Sequence, residues 1–494
     1  MSPRAELGRI TTDIPARMDR LPWVKWHWLI VVGLGTVWIL DGLEVTIVGS
    51  LSDVLKDAKN GLGLSSSQIG QAGAIYVAGA CLGALVFGQL TDRFGRKKLF
   101  MITLGVYLIG TVLTAFSMNP MWYFACRAIT GAGIGGEYAA INSAIDELIP
   151  AQYRGRVDIA INGSFWVGAG AGAMITIPLT NGTFNPAYGW RGAFALGATL
   201  ALAVLLVRRN VPESPRWLFI HGREDQGEKI VRDIEQTVHD ESGEELSPVS
   251  DSITIRQRHT IGLPMIAKTV FMTYPRRSIL CFSLFIGQAF LYNAFFFTYG
   301  DALSTFLGVK TVGWYIAAFA ASNFIGALAL SQLFDTVGRV RMISATYIIS
   351  GILLGVAGFF LHSFTAVTLT AVGMVIFFFA SAGASAAYLT ASEVFPMETR
   401  ALCIAFFYAI GTAAGGIAGP LYFGNLIDNA KASKDIAGIA PGYYVGAALM
   451  LAGGIIAIFL GVHAEQKSLE SIATPLTAEE GAAGSGQDKT RVPA

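Results

Sequence analysis

Twelve runs of about 20 apolar residues, separated by short charged loops, limit what this chain can fold into. About 20 apolar residues in a helix cross the hydrocarbon core of a bilayer. Lipid offers no partner for backbone amides, so such runs must satisfy them internally as helices. The runs fall at roughly 28–50, 68–91, 98–117, 121–145, 158–180 and 190–208, then at 278–300, 311–334, 341–361, 366–391, 400–424 and 441–463. Only 14% of the 494 residues are charged, against about 25% in soluble domains, too few to clothe a water-facing surface. The fold class implied is an all-α membrane protein with twelve transmembrane helices. A net charge of +1 leaves no basic face for nucleic acid.

Lys and Arg in the loops set the orientation. Arg93, Arg96, Lys97 and Lys98 follow the second run, Arg154 and Arg156 the fourth, Arg339 and Arg341 the eighth, and Arg400 the tenth. The intervening loops 117–120 and 181–188 carry no charge. Both termini are therefore expected in the cytoplasm of a multi-pass protein of the cell inner membrane. No short apolar stretch ending in a cleavage site precedes the first run, so no signal peptide is expected.

The domains read from these boundaries are an N-terminal cytoplasmic segment (1–27), a first six-helix bundle (28–208), a cytoplasmic linker with short helices (209–277), a second six-helix bundle (278–463) and a disordered tail (464–494). In the linker Ile230, Ile234 and Val238 recur every four residues among charges, which predicts an amphipathic helix. Cys81, Cys126, Cys281 and Cys403 each lie in an apolar run, with no spacing for a disulfide or a metal.

Two motifs recur in order. Gly88-Gln-Leu-Thr-Asp92-Arg93-Phe-Gly95-Arg96-Lys97-Lys98 is matched by Ser331-Gln-Leu-Phe-Asp335-Thr336-Val-Gly338-Arg339-Val-Arg341, each after the second span of its half. Glu147-Leu-Ile-Pro150-Ala-Gln-Tyr-Arg154 is matched by Glu393-Val-Phe-Pro396-Met-Glu-Thr-Arg400, each after the fourth. A duplicated six-plus-six bundle accounts for both. Two such halves about an axis along the membrane normal form a transporter architecture, with a ligand site near the midplane.

Ionisable residues inside a span are costly and are functional candidates. Asp41, Glu44, Arg127 and Glu137 stand out. Counted along their helices, Asp41 and Arg127 lie at about the same depth, so they are expected to pair. A carboxylate balanced between a guanidinium and an apolar surrounding can load a proton in one conformation and release it in another. Glu44 follows Asp41 by three residues and lies near its face. In the loops, Glu147 faces Arg96 or Arg154, and Glu393 faces Arg339 or Arg400, as partners across adjacent helices.

The chain resembles the major facilitator superfamily over nearly its whole length, with Gly88–Lys98 similar to the signature loop. Pro212-Glu213-Ser214-Pro215-Arg216-Trp217-Leu218 and Arg127-Ala-Ile-Thr-Gly131 resemble the sugar-porter branch. Asp41-Gly42-Leu43-Glu44 resembles the Asp-Gly-x-Asp run of aromatic-acid/proton symporters, with Glu in place of the last Asp. The resemblance implies that Asp41, Glu44 and Arg127 couple protons. It implies that Asp92, Arg93, Arg96, Glu147, Arg154, Asp335, Arg339, Glu393 and Arg400 gate the cytoplasmic side, and that the linker is the branch's intracellular helical domain.

The chain departs from sugar porters where they bind hexose. In the seventh span Gln288 and Asn293 match, but Gly287 and Ala289 stand where a Gln and a Gly are usual. Tyr388 replaces a Trp in the tenth. Each unpaired buried hydroxyl of a hexose costs about 1–3 kcal/mol, so these losses argue against a hexose. Aromatic residues remain, namely Trp166, Phe295, Phe296, Phe297, Phe406, Phe407 and Tyr408. The residues expected to bind substrate are Trp166, Gln288, Tyr292, Asn293, Tyr388 and Phe406.

The function expected is secondary active transport, as proton-coupled symport of a small organic solute, first an aromatic or other monocarboxylate. A sugar or polyol uniporter and a membrane sensor without flux are the alternatives. No metal set, nucleophile–base pair or phosphate loop suggests an enzyme, and no cofactor is expected. The partners expected are the small-molecule substrate, protons and the lipid bilayer, without nucleic acid, for a monomeric protein. Gly168 and Gly172, and Gly411, Gly415 and Gly419, recur every four residues where helix backbones can approach closely.

Overall fold

The computed structural model describes residues 8–180, 184–208, 212–249, 251–256, 263–396 and 399–473. Among the described residues, eleven helices are long and apolar enough to cross a membrane. A twelfth long helix, Pro120–Leu148, carries Arg127, Glu137, Asp146 and Glu147 and is correspondingly less apolar. The first half comprises span 1 (Lys25–Ser50), span 2 (Ser66–Phe94), span 3 (Arg96–Ala115), span 4 (Pro120–Leu148), span 5 (Arg154–Gly163 continued by Phe165–Thr180) and span 6 (Pro186–Arg208). The second comprises span 7 (Pro275–Leu307), span 8 (Gly313–Thr336), span 9 (Arg339–Phe359), span 10 (Ala366–Glu393), span 11 (Arg400–Thr412 to Ala418–Ala430) and span 12 (Ala440–Leu460).

The halves repeat each other in packing and in detail. Span 2 packs on span 4 as span 8 packs on span 10, while spans 5 and 8, and spans 2 and 11, meet across the interface. Gly95 and Gly338 end the two repeated loops with φ of 93° and 111°, a region that only glycine enters freely. Each is followed by a helix whose first amides meet a carboxylate. Glu213 accepts from the backbone amides of Arg96 at 3.0 Å and Lys97 at 3.2 Å, and Glu465 from that of Arg339 at 3.4 Å. Carboxylates at helix N-termini satisfy orphan amides and the helix dipole together.

The expected glycine contacts are present. A Cβ on Gly168 would lie 1.7 Å from the carbonyl oxygen of Ile39 in span 1, and one on Gly415 would lie 2.3 Å from that of Ile286 in span 7. Span 11 widens into a π-helical turn at Ala413–Ile417, which the sequence reading did not anticipate.

The insertion holds the amphipathic helix Glu224–Ser242, which buries Val231, Ile234 and Val238. It is clasped by the N-terminal segment. Strand Arg9–Thr12 pairs antiparallel with Ile253–Arg256, and Arg17 bonds Glu228 at 2.9 Å and Glu235 at 2.5 Å. Glu241 accepts from the Trp26 amide at 3.0 Å, which ties the insertion to the start of span 1.

The expectation of disorder from residue 464 onward does not hold for residues 464–473. Glu465 caps span 9, Leu469 is fully buried, and Arg277 donates to the Ile472 carbonyl at 3.0 Å. Apolar contact and capping order residues 464–473; the rest of that expected tail, 474–494, lies outside the described residues.

Candidate functional site

A central cavity of about 130 Å³ lies between the two halves. From the first half Trp38, Asp41, Tyr76, Tyr138, Asn162, Phe165 and Trp166 line it. From the second come Gln288, Tyr292, Asn293, Phe296, Ser385, Tyr388, Tyr408 and Thr412. A mostly aromatic wall with a few convergent polar groups suits a small, flat ligand. Among the described residues, Asp41 is the one formally charged side chain on this wall.

Asp41 is 1% exposed, and its carboxylate is held by two phenols. Tyr76 donates to Oδ1 at 2.6 Å, and Tyr138 donates to Oδ2. The expected Asp41–Arg127 pair does not form. Arg127 donates instead to Glu44 at 2.6 Å and to Thr114 Oγ1 at 3.0 Å, and Glu44 also accepts from Tyr107 at 3.4 Å. Depth along the helices explains the exchange. Arg127 is seven residues from the start of span 4 and Glu44 six from the end of span 1, roughly 10 Å and 9 Å, whereas Asp41 is nine residues away, about 14 Å. Three residues turn the helix by about 300°, so the two carboxylates share a broad face about 60° apart and differ mainly in height.

Ion pairs close the side that carries the insertion. Glu147 accepts from Arg96 and from the Ser214 hydroxyl. Arg339 grips Glu393 through two bonds of 3.0 Å and reaches Asp335 at 2.8 Å. Asp335 then accepts from the Arg156 backbone amide at 2.9 Å, joining span 8 to the start of span 5 and so one half to the other. Arg154 turns to Asp19 at 3.1 Å, Arg93 lies exposed over the Phe94 ring, and Arg400 is fully buried. The side chain of Asp92 lies outside the described residues.

The opposite side is closed differently. Lys56 pairs with Asp301 across the halves, and Ser304 donates to Asp53 at 3.2 Å. Burial pushes the Asp53 carboxyl above its ordinary value, opposed by nearby Lys56. Spans 1 and 7 meet closely here, where a Cβ on Gly49 would lie 2.9 Å from the Phe296 carbonyl oxygen. Polar contacts thus bridge the two halves on both sides of the cavity.

Of the residues expected to contact substrate, Trp166, Gln288, Tyr292, Asn293 and Tyr388 line the cavity. Phe406 does not. Its ring packs on Phe282 at 5.9 Å and Phe271 at 6.0 Å. Tyr408 faces the cavity instead, because two residues rotate a helix by about 200°. Phe295 sits in an aromatic cluster with Tyr299, Phe319 and Phe377 behind the wall. Trp38, Tyr76, Tyr138 and Asn162 escaped the sequence reading. The signal available was a phenol or amide inside an otherwise apolar span.

Twelve spanning helices in two repeated bundles around a midplane cavity define a secondary transporter of the major facilitator type. The chain belongs to the "Sugar (and other) transporter" family, whose model matches residues 28–476. It is 29% identical to the niacin transporter of Acinetobacter baylyi over 93% of this chain and 99% of that protein. It is 24% identical to the gallate transporter of Pseudomonas putida over 94% of this chain and 98% of that one. The structure of the proton:xylose symporter XylE superposes with a TM-score of 0.72 over 90% of this chain and 98% of that one. At 18% identity this likeness speaks for the fold alone. The chain is a transporter of small molecules, not an enzyme.

Proposed function

We propose that this protein is a proton-coupled symporter of a small aromatic monocarboxylate, working by alternating access. It is read as a monomer in the cell inner membrane, with the insertion and both termini in the cytoplasm. One observation carries the reading. The cavity holds a carboxylate, Asp41, and no cationic side chain among its described lining residues.

An anionic substrate beside an ionised Asp41 is repelled, and a low-dielectric chamber magnifies that repulsion. A proton on Asp41 removes the repulsion and supplies a donor for the incoming carboxylate. Proton and anion therefore bind together or not at all, which is symport. Gln288 and Asn293 offer neutral amide groups to the same carboxylate, while Trp38, Trp166, Tyr388 and Phe296 stack on the ring. Glu44 and Arg127 form the balanced pair that steadies the charge next to the proton site. The Arg96–Glu147 and Asp335–Arg339–Glu393 contacts, with Asp92, Arg93, Arg154 and Arg400 around them, gate the cytoplasmic side. The relatives named for niacin and gallate, both aromatic acids, support the substrate class.

The test is uptake of labelled aromatic monocarboxylates, sugars and polyols into proteoliposomes under an inward proton gradient. Accumulation of the aromatic acid that a protonophore collapses is the expected result. Protonophore-insensitive equilibration of a sugar would favour a uniporter, and specific binding without any flux would favour a sensor; either outcome ends the proposal.

A further inference from the structure

The two phenols on Asp41 belong to different parts of the wall. Tyr76, from span 2, lies against Phe297 of span 7 with ring centres 6.4 Å apart, on the side closed by Gly49 and Phe296. Tyr138, from span 4, stacks on Trp38 at 4.6 Å with an interplanar angle of 13°. Its ring meets Tyr408 of span 11 edge-on at 4.7 Å and lies 6.1 Å from Tyr388 of span 10. Tyr408 is eight residues from the start of span 11 and Tyr388 five from the end of span 10, so these rings form the floor of the cavity toward the insertion. Each oxygen of Asp41 is thus tied to a side chain that touches the opposite half, one toward each exit.

We propose that Tyr138 is a positioning residue that converts the charge on Asp41 into closure of the floor. The inference rests on Asp41 being the proton site. While Asp41 is ionised, the Tyr138 hydroxyl donates to it, and the bond holds the phenol ring against Tyr408. Charge-assisted hydrogen bonds are about twice as strong as neutral ones. A proton arriving on Oδ2 makes that oxygen a donor and a weak acceptor, so the charge-assisted bond from the Tyr138 hydroxyl is lost. The ring loses its anchor, and the contact between span 4 and span 11 loosens toward the insertion side. Tyr76 on Oδ1 keeps its bond, so the other exit stays shut. Proton loading thereby biases a loaded carrier toward inward opening.

The titratable groups facing Asp41 are Tyr76 from span 2, Tyr138 from span 4, Tyr388 from span 10 and Tyr408 from span 11. Glu44, with its partner Arg127, lies one turn along span 1. Span 7 adds the phenol of Tyr292, and spans 5 and 7 otherwise present Phe165, Trp166, Phe296 and amides here.

Tyr138→Phe keeps the ring and removes the donor. In proteoliposomes the pH of half-maximal uptake is expected to rise by about one unit, because one bond favouring the ionised carboxylate is gone. Maximal uptake is expected to fall about ten-fold with KM for the substrate changed less than about two-fold, the rate cost of one such bond. Tyr408→Leu keeps the Asp41–Tyr138 bond and removes the ring it presses on, so turnover falls while the pH profile stays that of the parent. A Tyr138→Phe protein with the parent pH profile and turnover overturns the proposal, as does a Tyr408→Leu protein with undiminished turnover. Asp41→Asn is run beside them. If that variant still accumulates substrate uphill, the proton reading itself fails; if it does not, and the tyrosine variants match the parent, only the relay fails.

Discussion

The two halves share a topology and a loop signature, yet they face the cavity with different chemistry. The first half contributes Asp41 with its phenols and, one turn away, the buried Glu44–Arg127 pair. The second contributes neutral groups, Gln288, Asn293, Ser385 and Thr412, among aromatic rings. Gene-level duplication supplies two equal scaffolds; an embedded charge is expensive in lipid, so it persists where it serves a purpose. In the function proposed above, the asymmetry separates proton handling, on the first wall, from neutral hydrogen bonding to the substrate, on the second.

Four changes break or sharpen that division. Asp41→Asn has the largest effect. It is expected to abolish uphill uptake while substrate exchange across the membrane continues, measured as gradient-driven accumulation against counterflow. Glu44→Gln follows, because it leaves the Arg127 guanidinium buried without its counter-charge. A loss of about 3–5 kcal/mol in stability is expected, read from unfolding in detergent; an unchanged midpoint would mean that Glu44 and Arg127 are not paired in the working protein.

Gln288→Ala, on the second wall, is expected to raise KM about five-fold with the pH profile unmoved, as suits one neutral hydrogen bond of about 1 kcal/mol. A shifted pH profile there would erase the distinction between the walls. The smallest effect lies outside both walls, in the clasp on the insertion. Burial acts to raise the Glu235 carboxyl, but hydrogen bonds from Arg17 and Arg20 outweigh it and hold it below its ordinary value. A depressed folded value means stabilisation that is present above the unfolded value of about 4.3 and is lost as pH falls through the folded one. Protection from hydrogen exchange over 224–242, relative to the intrinsic rate at each pH, should therefore fall as the parent is acidified below the ordinary Glu value of about 4.3. In Glu235→Gln it should be low already at neutral pH.

The two modes of closure add a second contrast. The side with the insertion is held by buried, bidentate ion pairs such as Arg339–Glu393, the other by the Lys56–Asp301 pair and close backbone contact at Gly49. Repeated loop motifs made the first legible in the sequence, down to Arg96 or Arg154 as the partner of Glu147, of which the structure selects Arg96. The second left no motif, since Lys56 and Asp301 are 245 positions apart and neither belongs to a repeat.

The linear pattern was sufficient for everything that depends on length along a helix axis. Span count, the duplicated halves and the amphipathic helix of the insertion all follow from the pattern along the chain. Rotation about the axis and the choice of neighbour were decided only by packing. Tyr408 took the cavity in place of Phe406, and the phenols of Tyr76 and Tyr138 met on one carboxylate. A one-dimensional pattern carries the height of a side chain in the membrane. Its bearing depends on which helices lie beside it, and that is a property of the assembled bundle.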